Sequence, residues 1–225
     1  GETGRPDDPR FLAWRARLAA CRTDEEVRAE AGRSGVRGMP LRDQMRARRN
    51  ALPPRNRLAA ADALGRHLRS LDALAAAERV AGYWAVRGEL ALHALLSPRP
   101  SYAWCLPCLT PESTLRFAPW LPGETLQTNR YGIPEPVLAT PAQFAPEAID
   151  VVLVPLLAFD RRGARLGSGG GYYDRSFAFL REQSRPARPL LVGVGYAFQQ
   201  VGSLPVEPWD VALDYVATEE GMIRC

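Results

Sequence analysis

Apolar residues recur every three to four positions in two segments that begin near residue 40. Between residues 41 and 52 the apolar positions fall near one helical face and arginines occupy another, which predicts an amphipathic helix. A second apolar stripe, from Leu58 to Leu71, predicts a second helix. Pro53 and Pro54 separate the two, because proline ends a helix but is accepted in the first turn of the next one. The pattern therefore predicts two consecutive helices.

Short apolar runs follow, and most of them are typical of β-strands. The strand candidates are residues 79–86, 101–109, 113–120, 151–159, 189–198 and 210–218, and the helix candidates between them are residues 89–96 and 172–182. The run at 151–159 is apolar throughout, which is typical of a central strand covered on both faces. Strands that alternate with helices predict a layered α/β domain.

The composition is that of a globular protein with a substantial core. The chain has 225 residues, of which 46% are hydrophobic and 24% charged. No apolar run approaches the roughly 20 residues of a membrane helix, and the first residues lack the pattern of a signal peptide. We expect a cytoplasmic protein with no membrane partner. Residues 1–38 differ in composition from the rest and are expected to form a poorly ordered or helical extension, leaving residues 39–225 as the domain.

All 29 basic residues are arginines, and the net charge is +4. Any phosphate-binding site must therefore use guanidinium groups, hydroxyls or backbone N–H groups. Schiff-base chemistry through lysine is excluded. The Cys105–Cys108 pair has CxxC spacing but lies in a predicted strand, where we expect buried thiols rather than a redox or metal site. His67 and His93 lie in predicted helices, far in sequence from the glycine-rich segment at residues 163–171.

Five glycines fall within nine positions, from Gly163 to Gly171, directly after the buried strand and before a predicted helix. Open α/β sheets bind ligands at such strand ends, and exposed backbone N–H groups at a helix start attract phosphate. Without lysine the segment cannot be a Walker A motif. The dinucleotide pattern fails as well, because Tyr172 stands where its last glycine belongs. A purely structural turn is the alternative.

The neighbours of the glycines carry candidate chemistry. Arg165 can pair with phosphate, and Tyr172 offers a stacking surface or a hydroxyl, whereas Tyr173 is expected to pack into the core. Asp174 falls in the first helical turn, where it either complements the helix dipole or supplies an oxygen ligand for Mg²⁺. Asp160 lies in a turn sequence and is expected to be a turn residue.

Residues 154–174, VPLLAFDRRGARLGSGGGYYD, resemble the signature of the 5-formyltetrahydrofolate cyclo-ligase family. The resemblance extends from about residue 41 to 218 and includes YWAVRGEL, YGIPEP and VEPWDVALDYVAT. It implies a three-layer α/β/α single domain with a mostly parallel central sheet, of the CoA-transferase and cyclo-ligase type. It also implies ATP- and Mg²⁺-dependent closure of 5-formyltetrahydrofolate to 5,10-methenyltetrahydrofolate. We expect a monomer.

The resemblance assigns roles position by position. Arg165 and Tyr172 are the implied catalytic residues. The implied ATP-binding residues are Arg42, Arg165, Leu166, Gly167, Ser168, Gly169, Gly170, Gly171, Tyr172 and Tyr173. Trp84, Glu89 and Tyr131 would bind the folate, and Asp174 and Asp210 the metal. The residues alone leave simpler alternatives: Arg42 as a solvated arginine, Trp84 as a core residue and Glu89 as an exposed helix-start glutamate.

The sequence departs from the family pattern at two positions. Gly38 stands where the family has a lysine, with Arg37 beside it, and Ser168 stands where a basic or larger residue is common. These departures are also compatible with a second enzyme function. In that case the protein is a paralogue of the same fold that uses ATP to act on another substrate. A nucleic-acid module is the third possibility, suggested by Arg42, Arg46, Arg48, Arg49, Arg55 and Arg57. That segment has no interleaved aromatic residues for base stacking, so we expect no nucleic-acid partner.

Overall fold

A computed structural model describes residues 40–139 and 142–225, so the interpretation of residues 1–38, including Arg37 and Gly38, lies outside the described residues. The two predicted helices are present as α1 (Leu41–Ala51) and α2 (Pro54–Arg69). α2 begins at Pro54, as the proline pair predicts. A short α3 (Asp72–Ala75) then leads into the sheet.

A seven-stranded sheet forms the centre of the fold. Its strands are β1 (Arg79–Ala81), β2 (Ala103–Leu109), β3 (Leu115–Pro119), β6 (Val151–Pro155), β9 (Leu190–Val194), β10 (Tyr215–Ala217) and β11 (Met222–Arg224). The order is β11-β10-β9-β6-β1-β2-β3. The five inner strands are parallel, and β3 and β11 pair antiparallel at the two edges. The sheet is therefore mostly parallel, as expected.

Two hairpins and a short helix lie outside this sheet, near the ends of its strands. One hairpin joins β4 (Leu126–Thr128) to β5 (Pro134–Pro136), and the other joins β7 (Ala158–Phe159) to β8 (Arg165–Leu166). α4 (Tyr172–Ser176) follows the second hairpin. Single 3₁₀ turns occur at His93–Leu95, Pro146–Ala148, Ala178–Glu182 and Ala197–Gln199.

Each face of the sheet has its own apolar core. Val151 and Leu153 of β6 lie in one core together with the buried face of α2, whereas Val152 and Val154 lie in the other. Successive side chains of a strand point to opposite faces, which produces this alternation. The second core includes Phe177, directly after α4. Helices on both faces of the sheet make the three-layer α/β/α arrangement.

Several segments differ from their predicted form, and two of them lie in the stretch from β1 to β2. The helix expected over residues 89–96 is a single 3₁₀ turn, and β1 ends at Ala81 rather than continuing to residue 86. Beyond β1 the chain leaves the sheet, and the Tyr83 hydroxyl donates a hydrogen bond to the Leu90 carbonyl across this segment. Such a loop-spanning contact gives no periodic signal in the sequence.

The helix expected over residues 172–182 is divided at Phe177 into α4 and a 3₁₀ turn. The Ser176 hydroxyl donates to the Tyr172 carbonyl and accepts a hydrogen bond from the Leu115 backbone N–H. A serine that bonds to β3 in this way competes with continuation of the helix.

The strand order reverses between β1 and β6, and this reversal locates a ligand crevice. From β1 the chain passes to β2 on one side, and it later returns to β6 on the other side. In open α/β sheets the loops after the carboxyl ends of two such strands diverge and leave a crevice between them. Residues 82–92 follow β1, and the glycine-rich segment follows β6. None of the helices in the described ranges combines the length and apolar character of a membrane-spanning segment.

Candidate active site

The glycine loop, residues 167–171, connects the β7–β8 hairpin to α4. Gly169 and Gly171 have φ angles of 105° and 65°, in the left-handed region that favours glycine. A Cβ atom added at Gly167 or Gly169 would meet no heavy atom within 4 Å. The loop therefore combines a backbone shape that needs glycine with open space above it, which a ligand can use.

Two arginines of α1 bind the backbone of the glycine loop. Arg42 Nε donates to the Gly167 carbonyl at 3.1 Å, and Arg46 Nη2 donates to the Ser168 carbonyl at 3.2 Å. Arg46 also pairs with Asp43 at 3.1 Å. Residues four apart lie on one face of a helix, so α1 places two guanidinium groups side by side along the loop.

Arg165 and Asp174 form an ion pair beneath the loop. Arg165 Nη2 lies 2.5 Å from Asp174 Oδ1, and the arginine side chain is only 7% exposed. Val211 joins both residues, because its N–H donates to Asp174 Oδ1 at 3.2 Å and its carbonyl accepts from Arg165. Asp210 directly precedes Val211, so the backbone segment that carries Asp210 lies beside Asp174.

The two carboxylates can still offer oxygens to a cation. The hydrogen bonds that Asp174 accepts use Oδ1, and Asp210 accepts a hydrogen bond from the Glu207 N–H on Oδ2 at 2.9 Å. Within residues 40–139 and 142–225, no group of three or more His, Cys, Asp or Glu side chains is placed to hold a metal by itself. Carboxylates of this kind are the donors that hold Mg²⁺ together with substrate phosphates.

The loop after β1 carries Trp84 and Glu89. Trp84 is 38% exposed and makes an edge-on contact with Trp120, with ring centroids 5.7 Å apart. It is therefore not a core residue. Glu89 Oε2 accepts a hydrogen bond from the Val86 N–H at 3.1 Å, and its side chain is only 12% exposed. Glu89 is thus a nearly buried acid in a turn, not an exposed helix-start glutamate.

Electrostatics connects Glu89 with α4. Burial raises the pKa of Glu89, and the positive charge of Arg49 opposes that rise. Burial also raises the pKa of Tyr173 well above its usual range, and the negative charge of Glu89 adds to it. Tyr173 is partly buried and stacks on Phe177, as its expected packing role requires. Glu89 on the loop after β1 and Tyr173 in α4 are therefore close enough for the charge of Glu89 to affect the pKa of Tyr173.

Tyr131, in the turn of the β4–β5 hairpin, forms a hydroxyl–hydroxyl hydrogen bond with Tyr172 of α4. The Tyr131 and Tyr172 hydroxyls are 3.0 Å apart, and their rings meet edge-on with centroids 6.0 Å apart. Arg130 also donates to the Tyr172 hydroxyl. The hydrogen bond with Tyr131 lowers the pKa of Tyr172 against the effect of burial, and the bond from Arg130 adds to the lowering. Tyr131, implied as a folate contact, thus lies against the end of the glycine loop.

Comparison with known proteins identifies the family. The model of the 5-formyltetrahydrofolate cyclo-ligase family matches residues 34–219. The chain belongs to this family. It is 33% identical over 181 residues to the 5-formyltetrahydrofolate cyclo-ligase of Haemophilus influenzae, covering 77% of this chain and 92% of that protein. It is 34% identical over 178 residues to the Escherichia coli enzyme of the same name, covering 77% of this chain and 96% of that protein.

Solved structures agree with the fold. The 5,10-methenyltetrahydrofolate synthetase of Aquifex aeolicus superposes with a TM-score of 0.69 at 30% identity, over 82% of this chain and 90% of that chain. The synthetase of Mycoplasma pneumoniae superposes with a TM-score of 0.59 at 24% identity, over 80% of this chain and 96% of that chain, and supports the fold alone. The expected cyclo-ligase architecture is therefore confirmed.

Several contacts of the site have no signal in the sequence. Arg46, Arg49 and Arg130 contact residues of the candidate site, but no motif assigns them to it, and each contacts a partner about 40 or more positions away. Asp160, by contrast, was predicted correctly as a turn residue. Its buried carboxylate accepts hydrogen bonds from the N–H groups of Arg162, Ala164 and Leu204.

The arginines that suggested a nucleic-acid module bind largely to the protein itself. Arg48 lies over the ring of Phe198, with its guanidinium carbon 4.3 Å from the centroid. Arg57 donates to the carbonyls of Leu52, Arg49 and Asn50 at the end of α1. These contacts give the cluster a structural role within the cyclo-ligase fold. Cys105 and Cys108 are free thiols buried in β2, and burial raises the pKa of each to about 12.

Proposed function

We propose that this protein converts 5-formyltetrahydrofolate to 5,10-methenyltetrahydrofolate, using ATP and releasing ADP and phosphate. The formyl oxygen attacks the γ-phosphorus of ATP. The bond between that phosphorus and the β-phosphate oxygen breaks, and ADP leaves. N10 of the folate then attacks the activated formyl carbon and loses its proton to solvent, and the carbon–oxygen bond breaks as phosphate leaves. The ring closes to the methenyl product. This is the reaction that the family resemblance implies.

One observation carries the proposal: a single helix holds both loops of the crevice. α1 binds the glycine loop through Arg42 and contacts Glu89 through Arg49, seven residues further along. The two loops follow β6 and β1, the strands between which the order reverses. A reaction that joins a nucleotide to a second substrate needs two binding loops fixed against each other. This arrangement supports a two-substrate site better than a structural turn.

The nucleotide phosphates would lie over the glycine loop. Gly167 and Gly169 keep side chains out of that space, whereas Gly170 and Gly171 let the backbone pass close to Tyr172 and Arg175. Leu166 and Ser168 continue the same backbone, and Ser168 adds a hydroxyl. Arg42 lies at the edge of the loop and supplies positive charge. Phosphoryl transfer depends mainly on positioning and on neutralising charge, and backbone N–H groups with guanidinium groups provide both.

Arg165 and Tyr172 are proposed to act at the transferring group. In the described geometry Arg165 is bonded to Asp174 and Val211, so it fixes the acidic residue in place. Direct contact of Arg165 with the phosphoryl group requires this pair to open when ATP binds. The Tyr172 hydroxyl lies between Arg130 and Tyr131 and can donate a hydrogen bond to a phosphate or formyl oxygen.

The folate would bind between the β1 loop and the β4–β5 hairpin. Glu89 offers a carboxylate for the N–H donors of the reduced pterin, and the exposed ring of Trp84 offers an apolar surface for it. Tyr131, which is 48% exposed, would lie beside the same ring system. Tyr173 would border both substrates, because it follows Tyr172 in α4 and lies close enough to Glu89 for that charge to affect its pKa.

Asp174 and Asp210 would hold Mg²⁺ together with the ATP phosphates. Bound there, the ion would neutralise charge on the phosphates during transfer. Asp174 is kept in position by Arg165, and Asp210 by the Glu207 N–H. The proposal includes a monomer in the cytoplasm, with no nucleic-acid or membrane partner.

The test is turnover of 5-formyltetrahydrofolate by the purified chain with ATP and Mg²⁺. We expect the methenyltetrahydrofolate chromophore to form with one ADP released per product, and no product without ATP. Glu89→Gln should abolish turnover and folate binding but leave ATP binding intact. ATP hydrolysis or binding without methenyl product would favour the paralogue with another substrate. Absence of both ATP binding and product would refute the proposal.

A further inference from the structure

Arg49 is almost completely removed from water. The residue is 2% exposed, its side chain 3% exposed, and it lies on α1. Its Nε donates to the Arg87 carbonyl at 3.0 Å, and its Nη1 lies 3.8 Å from Glu89 Oε1. A charge this deeply buried is tolerated only when partners compensate for the lost hydration. Both partners that Arg49 finds belong to the turn that carries Glu89.

This turn is shaped against the end of α1. Arg87 and Gly88 have φ angles of 50° and 76°, so both adopt the left-handed conformation. At Gly88 an added Cβ atom would lie 3.1 Å from Asn50 Oδ1 and 3.3 Å from the Arg49 carbonyl oxygen. The turn therefore packs closely on α1. A left-handed conformation at a non-glycine residue such as Arg87 persists only where the surroundings hold it.

Glu89 is held from two sides within the turn. Val86 N–H donates to Oε2, and Arg49 faces Oε1. The hydrogen bond from Arg49 to the Arg87 carbonyl fixes the backbone between these two points. One guanidinium group thus contacts both the backbone of the turn and the carboxylate at its end.

We propose that Arg49 is a positioning residue for substrate binding: it fixes the turn that carries Glu89 and keeps that carboxylate ionised inside the crevice. The proposal rests on the proposed function, in which Glu89 binds the folate. Arg49 itself contacts neither substrate. Its effect would pass through the geometry and the charge of Glu89.

The charges around the pair support this role. Burial raises the pKa of Glu89. Among the groups that lower this pKa, Arg49 has the largest effect, followed by the hydrogen bond from the Val86 N–H and by the positive charge of Arg87 on the same loop. The other titratable groups facing Glu89 are Tyr83 on that loop and Tyr173 from α4, and burial raises the pKa of each, so both stay neutral near pH 7.

The surroundings of Arg49 are equally defined. Besides Glu89 and Tyr83, it faces Tyr196 from the segment after β9 and Arg46 on its own helix. Burial lowers the pKa of Arg49, and Glu89 is the strongest group that opposes this. In the described part of the chain, Arg49 is thus the main counter-charge of Glu89.

The experiment compares Arg49→Met, Arg49→Lys and the wild type across pH. For Arg49→Met we expect kcat/KM for 5-formyltetrahydrofolate to fall about tenfold or more near pH 6 and to recover towards wild type near pH 9. The loss should lie in KM for the folate, with ATP affinity unchanged. Arg49→Lys keeps the charge but cannot reproduce the Nε bond, and should restore part of the loss at low pH. If Arg49→Met does not fold, Arg49→Lys is the test variant. We then expect its KM for the folate to be raised at all pH values.

Arg185→Met is the matched control. Arg185 pairs with Asp214, a carboxylate that is only 2% exposed in its side chain, at the amino ends of β9 and β10 and away from the crevice. This variant should lose stability like Arg49→Met but keep the wild-type pH profile. A pH profile and folate KM unchanged in both Arg49 variants would overturn the proposal.

A readout without substrate separates the two proposals. Titration of the Glu89 carboxyl carbon by NMR, assigned with Glu89→Gln, should move to higher pH in Arg49→Met. This shift is expected whether or not the wild type turns over folate. An unchanged titration would refute the role of Arg49 even if the enzyme is active, and a wild type without turnover would refute only the proposed function.

Discussion

Arg165 and Asp174 meet through Nη2 and Oδ1 at 2.5 Å, and the backbone of Val211 bonds to both. This contact ties the start of α4 to the segment that contains Asp210. The two acids implied as metal ligands are 36 residues apart in sequence, so the proximity of their two segments is a property of the fold.

Asp174→Asn should leave the fold intact and remove most activity. The amide can still accept the hydrogen bonds from Arg165 and Val211, but it lacks the charge that attracts Mg²⁺. We expect kcat to fall about hundredfold or more and the half-saturating Mg²⁺ concentration to rise, as measured by Mg²⁺ titration of turnover. Asp62→Asn, an exposed site on α2, is the control. Normal Mg²⁺ dependence in Asp174→Asn would rule Asp174 out as a ligand.

Gly169→Ala should weaken ATP binding beyond its effect on stability. Both Gly169 and Gly123 have left-handed φ angles, and neither has a heavy atom within 4 Å of an added Cβ. Alanine at either position should therefore lower the free energy of unfolding by about 1–2 kcal/mol. Only Gly169→Ala should raise the ATP dissociation constant, measured by calorimetry. Equal ATP affinity in the two variants would remove the glycine loop from the nucleotide site.

Tyr131→Phe tests the contact between the β4–β5 hairpin and α4. The substitution removes the hydroxyl that bonds to Tyr172 but keeps the exposed ring. Losing one hydrogen bond of about 0.5–1.5 kcal/mol predicts a rise of up to about tenfold in the folate KM. The pKa of Tyr172 should also rise, because its bond with Tyr131 lowers it. Tyr215→Phe on β10 is the control, and identical folate KM values in both variants would contradict the assignment.

Asp160→Asn should change how stability depends on pH. Burial favours the neutral form of Asp160. Hydrogen bonds from the Arg162 side chain and from the backbone N–H groups of Leu204, Arg162 and Ala164 outweigh this effect and lower the pKa of Asp160. A carboxyl whose pKa is lower in the folded state contributes stability that is present above its unfolded pKa and is lost as pH falls through the folded pKa. The variant should lose about 1–3 kcal/mol near pH 7 and show a flatter decline in acid. Denaturant unfolding across pH measures both, and a wild-type acid profile would contradict the expectation.

The sequence was informative wherever local patterns determine structure. The two helices, the start of α2 at Pro54 and the buried run of β6 follow from periodicity and proline chemistry. The placement of the glycine-rich segment beyond the end of a central strand was also predictable, because this segment follows the most apolar run of the sequence. These features depend on contacts within a few residues or on burial of a whole segment.

Contacts between distant segments could not be predicted in the same way. Nothing in the spacing of Arg49 and Glu89 indicates that they pair, since the contact depends on how α1 packs beside the loop after β1. The 3₁₀ turn at His93–Leu95 has an apolar pattern that fits a longer helix, and the Tyr83 hydroxyl, which bonds to Leu90, contributes no periodicity. Tertiary hydrogen bonds override local propensity in these places.

The bonds from Arg42 and Arg46 have a consequence for the peptide groups of the glycine loop. In a planar trans peptide the carbonyl and the following N–H point in opposite directions. With the carbonyls of Gly167 and Ser168 turned towards α1, the N–H groups of Ser168 and Gly169 point away from the helix, side by side. Two arginines thereby align two consecutive amide dipoles, and an anion approaching from that side meets their positive ends.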